Sequence, residues 1–157
     1  MKDLLERDSQ VKEVQTVREA GYDRHPYGLI ATYQTGARVL FQFVVTSAEG
    51  DKFSEPEQII EGDSAPAPVT VPDVFEGGKT SLANVDQHLT ALVLNSGSRE
   101  VQSAEAFSAR EARGAVPYGA KITFHDTSRV YVYVVHALPA GRSDWPRGGE
   151  FDVPAAV

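Results

Sequence analysis

The ten residues from Arg129 to Leu138, RVYVYVVHAL, restrict what this chain can fold into more than any other stretch. Valine and tyrosine alternate at the period of a β-strand, so Val130, Val132 and Val134 face one way while Tyr131 and Tyr133 face the other. Neither face is polar. That predicts a strand covered on both sides, hence a central one. Ala120 to His125 reads as a second strand, and Asp126 to Arg129 as the tight turn between the two.

Further strands follow from the same pattern. Leu29 to Gln34 and Arg38 to Thr46 flank Thr35-Gly36-Ala37, where the glycine suits the left-handed residue of a three-residue hairpin loop. In the second of these, Val39, Phe41, Phe43 and Val45 form an apolar strip that should face the core. Lys52 to Ile60 reads as an edge strand, since Pro56 cannot donate to a ladder. Val69 to Val71, His88 to Leu94 and Glu100 to Phe107 complete a set of about eight, with turn signals at intervals of ~8 to 12 residues. The expected fold is mainly β, an antiparallel sandwich or barrel of jelly-roll size.

The ends differ from the middle. In residues 1–20, Leu4, Leu5, Val11, Val14 and Val17 lie broadly on one side with Gly21 as a stop, which predicts an N-terminal helix, with an extended arm as the alternative. Residues 21–138 form the β domain. Residues 139–157, rich in Pro and Gly and carrying Trp145, form an extended tail. Both ends are expected to be tied down, by the domain itself or by a neighbour, with Trp145 and Phe151 as the anchors.

At 157 residues the chain can bury roughly 70% of its unfolded surface as a single domain without a covalent staple. It has no cysteine, which excludes a disulfide framework, a thiolate metal site and a cysteine nucleophile. Its net charge of −7, with 22 acidic against 15 basic residues, repels phosphates, so no nucleic acid partner is expected. No run approaches the ~18 apolar residues of a membrane span, and the charged start MKDLLERDS is unlike a secretory signal. The expectation is a chain made soluble in the cytoplasm, without membrane insertion.

The chemistry-bearing residues form no recognisable constellation. His125 and His136 share a hairpin but, paired across a two-residue turn, would stand roughly 20 Å apart. No HxH or HxxxH brings them together with His25 or His88. Gly114 to Asp126 resembles part of the second motif of cupins, in which a PxG turn leads to a metal-binding histidine. Pro117-Tyr118-Gly119 supplies the turn, but His125 follows that glycine by six residues where the cupin pattern has three, and the upstream HxH with its glutamate is missing. Gly62-Asp63-Ser64 resembles the GDS blocks of serine hydrolases, yet Ala65-Pro66-Ala67-Pro68 stands where a helix or two glycines belong. Glu55, Glu57 and Glu61 read as the charges of a solvated edge strand rather than a cation site.

No catalytic residue, cofactor or metal ligand is therefore assigned, and no enzymatic activity is expected. The leading expectation is a non-catalytic structural subunit that assembles with copies of itself or with other subunits of a larger particle, such as a virion capsid or shell. Its contacts would come from Leu4, Leu5, Val11, Trp145 and Phe151. The alternative is a β-barrel that binds a small molecule or carbohydrate on Tyr118, Tyr131 and Tyr133. A cupin-like metal-dependent enzyme comes third.

Overall fold

A computed structural model describes residues 1–52, 54, 56, 58–112 and 114–157. The fold is mainly β, with eight strands among the described residues, all in antiparallel sheets. After a short helix α1 (Lys2–Glu6) come β1 (Val11–Thr16), β2 (Gly28–Tyr33) and β3 (Arg38–Thr46). A small hairpin, β4 (Phe75–Glu76) and β5 (Lys79–Thr80), leads into helix α2 (Leu82–Leu94). The chain then forms β6 (Val101–Ala106), a 3-10 turn at Phe107–Ala109, β7 (Gly119–Phe124) and β8 (Arg129–Leu138). The main sheet has the order β1-β2-β3-β8-β7-β6, so β8 is central, paired with β3 on one side and β7 on the other.

The layer opposite the sheet is helix α2 rather than a second sheet. Its start is fixed by Ser81, whose side chain accepts the Asn84 N–H, and Leu82, Val85, Leu89 and Val93 fall along one buried side. The stretch His88 to Leu94 is the second half of this helix, not a strand. Its apolar run is too uniform to reveal a period, and the helical spacing emerges only when counting begins at Leu82.

The N-terminal segment also departs from expectation. Only Lys2–Glu6 is helical, and Val11–Thr16 is an edge strand of the sheet. Val11 and Val14 are three apart, a helical interval, yet both are buried on the same side of β1. A bulge between Val11 and Glu13 absorbs one residue and returns Val14 to the face of Val11. Neither Lys52 to Ile60, over its described residues, nor Val69 to Val71 is a strand. At Val69 the Asn95 side-chain amide takes both backbone bonds, Val69 N–H to Oδ1 and Nδ2 to Val69 O, each 2.8 Å, doing the work of a neighbouring strand.

The main sheet is built twice over. Shifted by 91 positions, β2 and β3 map onto β7 and β8 with the same register: Gly28 opposite Gln42 corresponds to Gly119 opposite Tyr133, and Thr32 opposite Arg38 to Thr123 opposite Arg129. The edge strands match as well, because the bulge between Val11 and Glu13 recurs between Val101 and Ser103. Each half thus runs helix, three strands, and the halves meet along β3 and β8 about an approximate two-fold axis.

The tail folds back on the same chain. Trp145 lies under the Arg38 guanidinium, 5.2 Å from the ring centre, and stacks on His136. Phe151 meets Tyr133 edge-on at 6.0 Å, and its N–H donates to Val135 O. Val157 exchanges backbone hydrogen bonds with Thr80 at 2.6 and 3.0 Å. No helix among the described residues is long and apolar enough to cross a membrane.

Candidate functional site

The residues expected to make assembly contacts are largely occupied within the chain. Leu5 and Val11 belong to the core between sheet and α2, Leu4 packs against that core, and Trp145 and Phe151 pack on the face of the sheet away from α2. The three tyrosines do not form one surface. Tyr118 is buried on the α2 side, whereas Tyr131 and Tyr133 stack on each other at 6.0 Å on the opposite face, with Phe107 and Phe151 closing over Tyr133. Tyr131 and Tyr133, two apart on β8, share one face by alternation, while Tyr118, just before β7, packs into the core on the other.

The histidines stay apart too. His136 is buried beneath Trp145, His25 is 3.4 Å from Glu150, and the ring of His125 lies against Gly62. The Gly62-Asp63-Ser64 segment is therefore a loop clasped by Arg99, whose Nε donates to Gly62 O at 3.0 Å. Glu61 pairs with Arg99 at 3.4 Å, while Glu55 and Glu57 lie outside the described residues. No three of His, Asp and Glu converge on a point among the described residues.

Two buried polar clusters brace α2. Asp86, wholly buried, accepts three bonds: Ser108 Oγ at 2.6 Å, Ser108 N–H at 2.9 Å and Gly119 N–H at 3.2 Å. Burial raises its carboxyl above the usual aspartate range, against the pull of those donors. His88, on the same helix, has its Nε2 3.1 Å from Asp8 Oδ1, a contact short of hydrogen-bond geometry, and its Nδ1 has no partner. Burial pushes its pKa below the ordinary value, with Asp8 opposing. Asp86 and His88 are both buried, while Asp8 reaches the surface, and the two clusters serve to seat the helix.

An open groove lies at the N-terminal end of α1. It is bounded by Met1, which caps α1, and Lys2, by Val17 and Arg18 beyond β1, by Tyr27 just before β2, and by Leu29, Phe43 and Val45 on β2 and β3, with a volume of about 980 Å³. The strip Val39, Phe41, Phe43, Val45 begins as core, where Val39 is fully buried, and runs out into solvent at Val45, which is 67% exposed. Tyr27 is 74% exposed. Single exposed apolar residues are ordinary, whereas contiguous apolar patches are uncommon on closed surfaces. The charged residues that line it, Lys2 and Arg18, are both cationic.

Comparison with protein families, with curated proteins and with solved structures returned no match. The groove residues escaped sequence reasoning because Tyr27 looks like turn material and Val45 like core. The internal repeat carries the missing signal. Pro26-Tyr27-Gly28 recurs as Pro117-Tyr118-Gly119, and Arg38-Val39 recurs as Arg129-Val130, all at the same offset.

Proposed function

We propose that this chain is a non-catalytic subunit that works by packing against another protein through the groove of Tyr27, Leu29, Phe43 and Val45. The observation that carries this reading is the exposure of Tyr27 and Val45 at the rim of an apolar groove that continues the core strip of β3. Buried aromatic and aliphatic anchors supply most of the energy of protein interfaces, and a ready-made apolar groove spares the cost of rearrangement. The assembly contact thus moves from the terminal segments, which are engaged within the chain, to β2 and β3.

A photo-crosslinking residue at position 27, compared in the native host with one at the exposed position 142, beyond the Arg38–Leu138 end of the β3–β8 pairing and so away from Val45, tests this. Adducts to a protein concentrated at position 27 are expected. Equal yields from both positions would overturn the reading. Light scattering on the purified chain over a wide concentration range separates a second copy from a different protein. The ligand-binding alternative has less support, since Tyr131 and Tyr133 spend their faces on each other, on Phe107 and on Phe151.

A further inference from the structure

The internal repeat says what kind of object the groove is shaped to hold. Gly28 and Gly119 are equivalent: a Cβ on either would strike the backbone oxygen of the facing strand, Phe41 O or Val132 O, and then the side chain of Val17 or Phe107. The chain leaves both the same way, with Phe43 N–H donating to Tyr27 O and Val134 N–H to Tyr118 O. Tyr27 and Tyr118 therefore occupy matching positions, yet Tyr27 is 74% exposed and Tyr118 only 8%.

The difference lies in the helices. Helix α2 has 13 residues and α1 has 5, a difference of 8. Aligned at their C-terminal ends, α1 matches Thr90 to Leu94, with Leu5 and Val93 buried at the same point. The first two turns of α2 have no counterpart in the first half. In the second half those turns cover the sheet, and Asp86 on them binds Gly119 N–H and Ser108. In the first half the matching place is the open groove. There Gly28 stands for Gly119, and Arg18, exposed and without an ion pair among the described residues, stands for Ser108.

We propose that the groove receives an amphipathic helix from a partner protein, carrying apolar side chains at the spacing of Leu82, Val85 and Leu89 and a carboxylate directed at Arg18 and Gly28. This rests on the reading of the groove as a protein-binding site and names its occupant. Two features select that occupant. The equivalent surface in the same molecule is already covered by a helix, and of the two cations lining the groove Lys2 is engaged by Glu19 at 3.5 Å and Glu6 at 3.8 Å, while Arg18 has no ion pair among the described residues. A carboxylate on an incoming apolar helix thus finds its partner in Arg18.

The test supplies the helix in cis. The residues of Ser81–His88 are copied in front of Met1 of the full chain, and a second version carries lysine at the copied Asp86 position. Hydroxyl-radical footprinting then reads Tyr27 and Val45, with Tyr118 as the internal marker of an intact fold. Modification of Tyr27 and Val45 is expected to fall about fivefold with the acidic extension and to recover with the lysine version. Unchanged modification, or equal protection by the lysine version, would overturn the helical occupant. If position 27 still crosslinks to a protein in that case, the groove reading stands and only the helix fails; without crosslinks both fail. Concentration-dependent dimerisation of the unextended chain with protection of Tyr27 would make the occupant a second copy and also overturn the proposal.

Discussion

Gly36 and Thr127 hold the same place in the two halves of the sheet and take the same backbone conformation, with φ of 85° and 75°. Each is the fourth residue after the last paired position of its hairpin, Thr32 or Thr123, and each N–H returns to the carbonyl of Tyr33 or Phe124, at 2.8 and 3.1 Å. Glycine adopts that conformation freely, whereas a β-branched residue pays for it. Thr127→Gly is therefore expected to stabilise the protein by about 1 kcal/mol, less whatever the exposed bond from Glu49 N–H to Thr127 Oγ1 contributes. Gly36→Thr should destabilise by about 1–2 kcal/mol or more, since its Cβ would also crowd Ala140. Urea denaturation of both variants gives the signs.

The close approach at Gly28 and Gly119 predicts a second matched pair. An alanine methyl at either position runs into the carbonyl oxygen of the neighbouring strand, which cannot yield without breaking the ladder. Gly28→Ala and Gly119→Ala should each cost about 3 kcal/mol or more. A thermal melt that leaves either variant at the parent value would contradict this account.

Protonation should weaken the fold through its buried histidines. The pKa values of His88 and His136 are lowered by burial from an ordinary value of 6.5, so below that pH the unfolded chain binds more protons than the folded one. Stability contributed by the neutral rings is complete above the unfolded value and is lost as pH falls through it. His88→Leu removes one of the two and should shrink the loss measured between about pH 7.5 and about pH 5. A variant with the parent's slope would assign the whole effect elsewhere.

Asp86 is the bond hub beneath α2. Asp86→Ala strands the Ser108 and Gly119 N–H groups in the interior, at an expected cost of about 2–4 kcal/mol. Asp86→Asn keeps the shape but offers one acceptor oxygen in place of two, and should fall between alanine and the parent in denaturant midpoint.

The sheet was legible in the sequence where an alternating run is long enough to outlast a break, as in β8, whose bulge at Val135 comes late in the strand. Arg129 to Leu138 and Arg38 to Thr46 are β8 and β3 to the residue, and the split of valines from tyrosines along β8 holds. It was illegible where a bulge resets the period, as at Lys12 between Val11 and Glu13, and where burial on all sides erases it, as from His88 to Leu94. The groove was hidden for a different reason. Phe43 and Val45 carry a core pattern, and what makes them surface is the length of a helix far away in sequence.

Two like units that pair through β3 and β8 would, as separate molecules, form a symmetric dimer in which every substitution appears twice. Joined in one polypeptide they escape that rule. One unit can close its sheet with its own longer helix while the other keeps the same surface bare, so the chain holds a sealed copy and an unsealed copy of one design, each free to drift without disturbing its twin.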